Sequence, residues 1–266
     1  NSFYKKIDIQ NKLISFGSLY LDTLKVINIE GDKDKVEKFL QGQVTSDVDY
    51  VSESTMQLSS ICNQKGLVMA GFILAKEGLK FKVIIGNEIS NIFIEELLPF
   101  AKFFGVTFKE TDEHVKLSVL KNDKNFLFLK NNYFGVSATI TPTRERIDQP
   151  IEIDDWRVAN ALLKNFYLTA EDVGKYRPLE IFYDQLRVSF DKGCYRGQEI
   201  VARMKYLGVD RRKFSAVISE ENYVIDSNMK LISSEISYKG YKIFNCSINK
   251  DSLEIIKNEP LIQLIM

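Results

Sequence analysis

Residues 188–203 read Val-Ser-Phe-Asp-Lys-Gly-Cys-Tyr-Arg-Gly-Gln-Glu-Ile-Val-Ala-Arg and concentrate the groups best able to do chemistry. Cys194 stands between Gly193 and Gly197, with Lys192 and Arg196 close on either side. Glycine adopts positive φ without strain and lets a backbone or ligand come near, so this pair predicts a sharp bend. Residues 188–190 predict a short strand, and 198–204 a helix with Ile200, Val201 and Met204 on its apolar side. A thiol on such a bend, just before a helix N-terminus and flanked by cations, is biased toward thiolate. Thiolate is the form that attacks electrophiles or ligates metal. Lys192 and Arg196 are therefore read as the groups that activate Cys194. Cys62 and Cys246 lack such neighbours and read as structural, in keeping with the burial of most free cysteines.

Charge is biased around the same stretch. Between residues 187 and 213 stand eight basic residues (Arg187, Lys192, Arg196, Arg203, Lys205, Arg211, Arg212, Lys213) and three acids (Asp191, Glu199, Asp210), a net of +5. The whole chain is balanced, with 36 basic and 36 acidic residues, so it has no long-range pull on nucleic acid or membrane. The run is either a solvated face or a local anion site for a carboxylate tail or RNA phosphates. With His114 as the sole histidine, a zinc site or a Ser-His-Asp triad has little support. Three scattered cysteines do not make a disulfide scaffold, and no secretory pattern or spanning apolar run is visible. The expected setting is the cytoplasm.

The elements that must position these groups follow from periodicity. Residues 24–29 predict a strand, and Asp32 an N-cap for a helix over 33–40 that stops at Gly42. Runs 56–61 and 67–75, joined by the polar turn 62–66, predict a hairpin, and 79–85 a third strand. A helix over 88–104 ends at Gly105, strands follow at 115–120 and 126–129, and Asp154 or Asp155 opens a helix to about 163. Residues 168–184 read as loop. After residue 213, β-type runs (214–218, 229–232, 241–248, 253–256, 261–265) recur roughly every 8–12 residues, the rhythm of a small barrel or sandwich. The fold class is α+β, with a boundary near residue 212.

The segment Lys192-Gly-Cys-Tyr-Arg-Gly-Gln-Glu199 closely resembles the K-G-C-Y-x-G-Q-E signature of the YgfZ family, relatives of the glycine cleavage T-protein in the folate-binding aminomethyltransferase superfamily. The likeness runs on through Ile200-Val-Ala-Arg203 to Gly208 and Arg212. Upstream, Phe39-Leu-Gln-Gly-Gln-Val-Thr-Ser-Asp47 resembles the family's F-L-Q-G-Q-x-T-x-D element, and Cys62-Asn-Gln-Lys-Gly66 its D-x-K-G turn. The resemblance implies a GcvT-like folate-binding fold: two α+β units around a central cavity, with a C-terminal β-barrel. Residues 1–212 would be the folate-binding region, its second interleaved subdomain at roughly 50–110, and 213–266 the barrel. It implies tetrahydrofolate or a derivative as cofactor. The residues implied for it are Gly193, Tyr195, Gly197, Gln198, Glu199 and Arg203 of the signature, Gln43, Thr45 and Asp47 of the second block, and Lys65 of the turn.

The role implied is that of an accessory protein without classical turnover, supporting iron–sulfur cluster assembly or repair and cluster-dependent tRNA modification. Cys194 would act as reactive thiolate or as transient cluster ligand. One cysteine cannot hold a cluster by the usual four thiolates, so ligation would be shared and no metal is intrinsic. The alternative is a folate-dependent aminomethyl or one-carbon transferase like the T-protein; direct tRNA binding through the basic run is a third reading. Two departures bear on folate. The family's R-I-E-A-G-I-P, whose Glu resembles the pterin-gripping carboxylate of the transferases, puts that position on Leu162. Its P-x-E-x-N element becomes Pro178-Leu-Glu-Ile-Phe182, and Glu180 is taken as the substitute anchor.

Overall fold

The computed structural model describes residues 9–266. Their strands are β1 (Gly17–Tyr20), β2 (Leu24–Glu30), β3 (Gln57–Cys62), β4 (Val68–Glu77), β5 (Lys80–Gly86), β6 (Thr107–Glu110), β7 (His114–Lys121), β8 (Leu129–Lys130) and β9 (Phe134–Thr141), then β10 (Arg212–Glu220), β11 (Met229–Leu231), β12 (Ile236–Tyr238), β13 (Tyr241–Asn249) and β14 (Ile262–Ile265). They assemble as three sheets, ordered β3-β4-β5-β2-β6, β1-β7-β9-β8 and β11-β13-β10-β14, with β12 also paired to β13.

The first sheet carries α1 (Lys33–Gln43) and α2 (Asn87–Ala101), and its core is Ile27, Ile29, Phe39, Leu40, Phe72, Leu74 and Phe93 with their neighbours. Asp32 caps α1, accepting from Lys35 N at 3.1 Å. The helix runs through Gly42 to Gln43 rather than stopping there, because that glycine keeps helical geometry with open space beside it. The predicted stop at Gly105 is present, with φ of 64° after a 3-10 turn over Lys102–Phe104. The hairpin β3–β4 is closed by Asn63, whose Oδ1 accepts from Lys65 N and Leu67 N at 2.9 and 3.0 Å.

The helix α3 (Ile153–Leu162) is the hub of the molecule. It packs against β7 and β9 of the second sheet and β10, β12 and β13 of the third. Its Trp156, Val158, Ala159, Leu162 and neighbouring Leu163 share one core with Val26, Leu117, Val119, Ile218 and Ile243. The third sheet is not the closed barrel that was expected: β11 and β12 lie along the same side of β13, and β14 is a four-residue edge. Each face is covered instead. Ile218 and Ile243 face α3, while Val217, Phe244, Cys246 and Ile248 pack with Ile256 of α6 (Leu253–Lys257), which follows α4 (Tyr183–Leu186) and α5 (Gln198–Leu207) in the chain.

Residues 253–256 are thus helical and not a strand. The predicted strand at 188–190 is also absent, because its backbone is tied to a loop rather than a ladder, Ser189 N donating to Thr45 O at 2.8 Å. The 126–129 run shortens to β8, and β1, β6, β9 and β12 were not anticipated. Among the described residues no helix is long and apolar enough to cross a membrane.

Candidate functional site

The three sequence blocks singled out by their motifs meet in one junction. Gly197 has φ of 82° and precedes α5 (Gln198–Leu207). A Cβ there would lie 2.5 Å from Asn63 O and 3.2 Å from Cys62 Cβ, and one on Gly66 would lie 2.9 Å from Ile200 Cβ. The first turn of α5 therefore lies directly on the β3–β4 turn, and glycine is required on both sides of that contact. Gly193 has open space and a negative φ, so the bend rests on Gly197 alone. The end of α1 joins the same junction: Arg196 N donates to Gly42 O at 3.1 Å, and Thr45 Oγ1 donates to Arg187 O at 2.6 Å. Cys194 is exposed at its rim.

The two cations beside Cys194 have other partners. Lys192 Nζ donates to Gln41 Oε1 at 3.0 Å and to Val44 O and Ser46 O at 2.7 Å, which ties residue 192 to the C-terminal end of α1. Burial lowers this ammonium to about 8, although the Asp47 and Asp49 carboxylates pull the other way. Arg196 pairs with Glu96 Oε2 at 2.8 Å and lies over the Phe100 ring at 5.2 Å. Their geometry is that of clamps holding the loop to α1 and α2.

The remaining motif residues spread around this junction. Tyr195 is buried beneath Lys192, Nζ standing 5.0 Å from the ring, and burial pushes its phenol up. Gln43 is buried, and its Oε1 has no partner. Thr45 is fully buried against Ser60 Oγ at 2.6 Å, and Asp47 Oδ1 accepts from Gln41 Nε2 at 2.6 Å and from Asp49 N. Gln198 is half-buried, while Glu199, Arg203 and Lys65 are exposed. Cys62 and Cys246 are sealed in the interior, and burial pushes both thiols up to about 12. The basic run does not form one face. Arg187 is buried, Lys192 and Arg196 are clamped, and Arg212 donates to Ser247.

A cavity of about 630 Å³ lies between the first sheet, α3, the segment 165–172 and the β11–β12 connection. Its aromatic walls include Trp156, Phe166 and Tyr167. Three buried amides meet it. Asn160 Nδ2 donates to Trp156 O, Asn165 Nδ2 to Asn160 Oδ1, and Asn245 Nδ2 to Ala161 O, each at 2.9 Å. Arg157 adds a cation, and Glu88, Glu171 and Asp172 add carboxylates.

None of the residues of blocks 39–47, 62–66 and 192–199 lines this cavity. Glu180 is exposed, its Oε2 accepting from Arg177 N at 2.7 Å as the cap of a 3-10 turn. Leu162 is 1% exposed and belongs to the core, whereas the polar α3 residue that does reach the cavity is Asn160. Sequence reading missed Asn160, Asn165 and Asn245; their one visible signal is an amide set among apolar neighbours in each segment.

No family model matches the chain. It is 27% identical over 232 residues to the tRNA-modifying protein YgfZ of Colwellia psychrerythraea, covering 75% of this chain and 71% of that one. The YgfZ of Shigella sonnei is 27% identical over 209 residues, 66% of this chain, which spans 64% of that relative's length. An uncharacterised Haemophilus influenzae protein is 25% identical over 255 residues, covering 91% and 89% of the two chains. Among solved structures, the glycine cleavage system aminomethyltransferase T from Bartonella henselae superposes with a TM-score of 0.64 over 92% of this chain and 81% of its own, at 11% identity, a likeness of fold. At 27% identity over 66–75% of its length, this chain is similar to the YgfZ proteins, and its fold is that of the aminomethyltransferase.

Proposed function

We propose that this protein is a folate-binding accessory factor for iron–sulfur proteins, including those that modify tRNA, and that Cys194 is its reactive thiolate or transient cluster ligand. The observation that carries this reading is the junction itself. Blocks 39–47, 62–66 and 192–199 pack together through Lys192, Arg196, Gly66 and Gly197, and leave one cysteine exposed at the edge. Such a network fixes a loop that would otherwise move, which is what an exposed reactive group needs from its surroundings. The names of the relatives, tRNA-modifying proteins, support the setting.

The residues present fit a folate. A volume of about 630 Å³ is within the range of small-molecule sites, which run to roughly 300–1,000 Å³. Trp156, Phe166 and Tyr167 offer stacking surface for a pterin, and Arg157 a cation for a glutamate tail. For the donor edge of the ring Glu171 is available in place of Glu180, since Glu88 accepts from Ala170 N and Asp172 from Thr169. A bound reduced folate would supply a one-carbon carrier, while the chain's own residues bind and orient it. We divide the chain at residue 212, with the folate-binding region before it and the β module after it.

The test is genetic. In a strain lacking its own YgfZ, the wild-type chain restores cluster-dependent tRNA thiomethylation and Cys194→Ala does not. Full rescue by the variant would remove Cys194 from the function.

A further inference from the structure

Arg187 is 3% exposed, its guanidinium stacked 4.4 Å from the Tyr183 ring. Nη1 donates to Ser59 O and Phe72 O at 2.9 Å, and Nη2 to Asn165 Oδ1 at 2.7 Å. Every one of these acceptors is neutral, and Nε has no partner. Arg187 takes part in no ion pair among the described residues. The tyrosines beside it, Tyr183 and Tyr167, do not serve as anions: Tyr183 donates its hydroxyl to Phe166 O at 2.7 Å, and the Tyr167 phenol is held above its ordinary value. A buried cation without a countercharge is costly and uncommon.

Beside Arg187 is a void of about 40 Å³, otherwise walled by Phe72, Ile84, Ile85, Ile89 and the two tyrosines. It shares Leu24, Gly86, Tyr167 and Leu168 with the large cavity, so the two are neighbours across that wall. Since one water needs about 10–15 Å³, the void has room for roughly three small atoms. That matches a carboxylate, and the guanidinium fork is the side chain best shaped to receive one.

We propose that this void is an anion site, in which Arg187 takes as countercharge a carboxylate or a small monovalent anion. The group is either a free ion or the carboxylate arm of a molecule held in the neighbouring cavity. The assignment depends neither on folate nor on Cys194.

The experiment follows thermal unfolding of the full chain at constant ionic strength, with sodium formate and sodium trimethylacetate as probes. Formate should raise the Tm with a saturable dependence, and trimethylacetate, too large for the void, should not. Arg187→Gln should weaken the formate effect about tenfold or more, the charge-assisted bond being gone. No saturable rise with formate, an equal rise with trimethylacetate, or an undiminished rise in Arg187→Gln would each overturn the proposal. Should that variant fail to fold, bromide-soaked crystals of the wild type take its place. Anomalous density in the void beside the Arg187 guanidinium supports the site, and water alone there refutes it. Titration with 5-formyl-tetrahydrofolate separates the sources. Affinity lowered by saturating formate assigns the void to the ligand's carboxylate, and unchanged affinity assigns it to a free ion. Absence of any folate binding defeats the folate reading while leaving the formate result intact.

Discussion

The three cysteines share a side chain and differ only in surroundings, which is enough to separate their chemistry. Cys194 is exposed, and the other two lie in hydrocarbon that disfavours the thiolate. At pH 8 an alkylating reagent should therefore modify Cys194 alone in the native protein, and peptide mapping would check it; labelling of Cys62 or Cys246 at a comparable rate would contradict their burial. Their pH dependence has a definite sign. A thiol raised from 9.0 to about 12 stays protonated in the folded chain while the unfolded chain ionises. Its contribution is complete below pH 9 and is lost progressively as pH climbs toward 12. Urea unfolding should accordingly show stability falling over that interval, and less steeply in Cys62→Ala. At this scale the sequence showed which cysteine would be exposed on a glycine bend. It did not show where the neighbouring cations point, because the carbonyls at the end of α1 and the Glu96 carboxylate that hold them come from distant segments.

Between elements, glycines mark the closest contacts, and only some of them. Gly66 and Gly197 combine positive φ with a neighbour at 2.9 Å or nearer, so alanine at either should cost about 2 kcal/mol or more. Gly42 keeps helical geometry in the last turn of α1 with open space beside it, so Gly42→Ala should be neutral or stabilise by about 0.5–1 kcal/mol. Urea denaturation of the three variants distinguishes them; equal effects at all three would mean that α5 does not rest on the β3–β4 turn. Strands 24–30 and 80–86 and the β3–β4 hairpin were legible because they combine apolar runs with clear turn residues. β9 was not. Its Gly135, Ser137, Ala138 and Thr139 are small and weakly apolar, and the strand exists because β7 pairs with it along its whole length. Leu253, Ile255 and Ile256 fit either period, and the turn capped by Asn249 decides for helix.

In the whole molecule, one helix joins two sheets and lines the cavity beside a third, while the motif junction lies elsewhere. The motifs led to Cys194 and its supports; the cavity was invisible because its walls come from distant segments, from Leu21 to Asn245, fixed only by packing. The cavity lining does not include the exposed Cys194, so the proposed ligand binding and thiol chemistry should be separable. Trp156, the chain's one tryptophan, is part of the cavity wall and reports on it directly. Titration of the purified protein with 5-formyl-tetrahydrofolate should change Trp156 fluorescence saturably, with the same midpoint in Cys194→Ala as in the wild type. Unaltered fluorescence across the titration, or a midpoint that moves when the exposed sulfur is removed, would contradict a folate site at the sheet junction that is independent of Cys194.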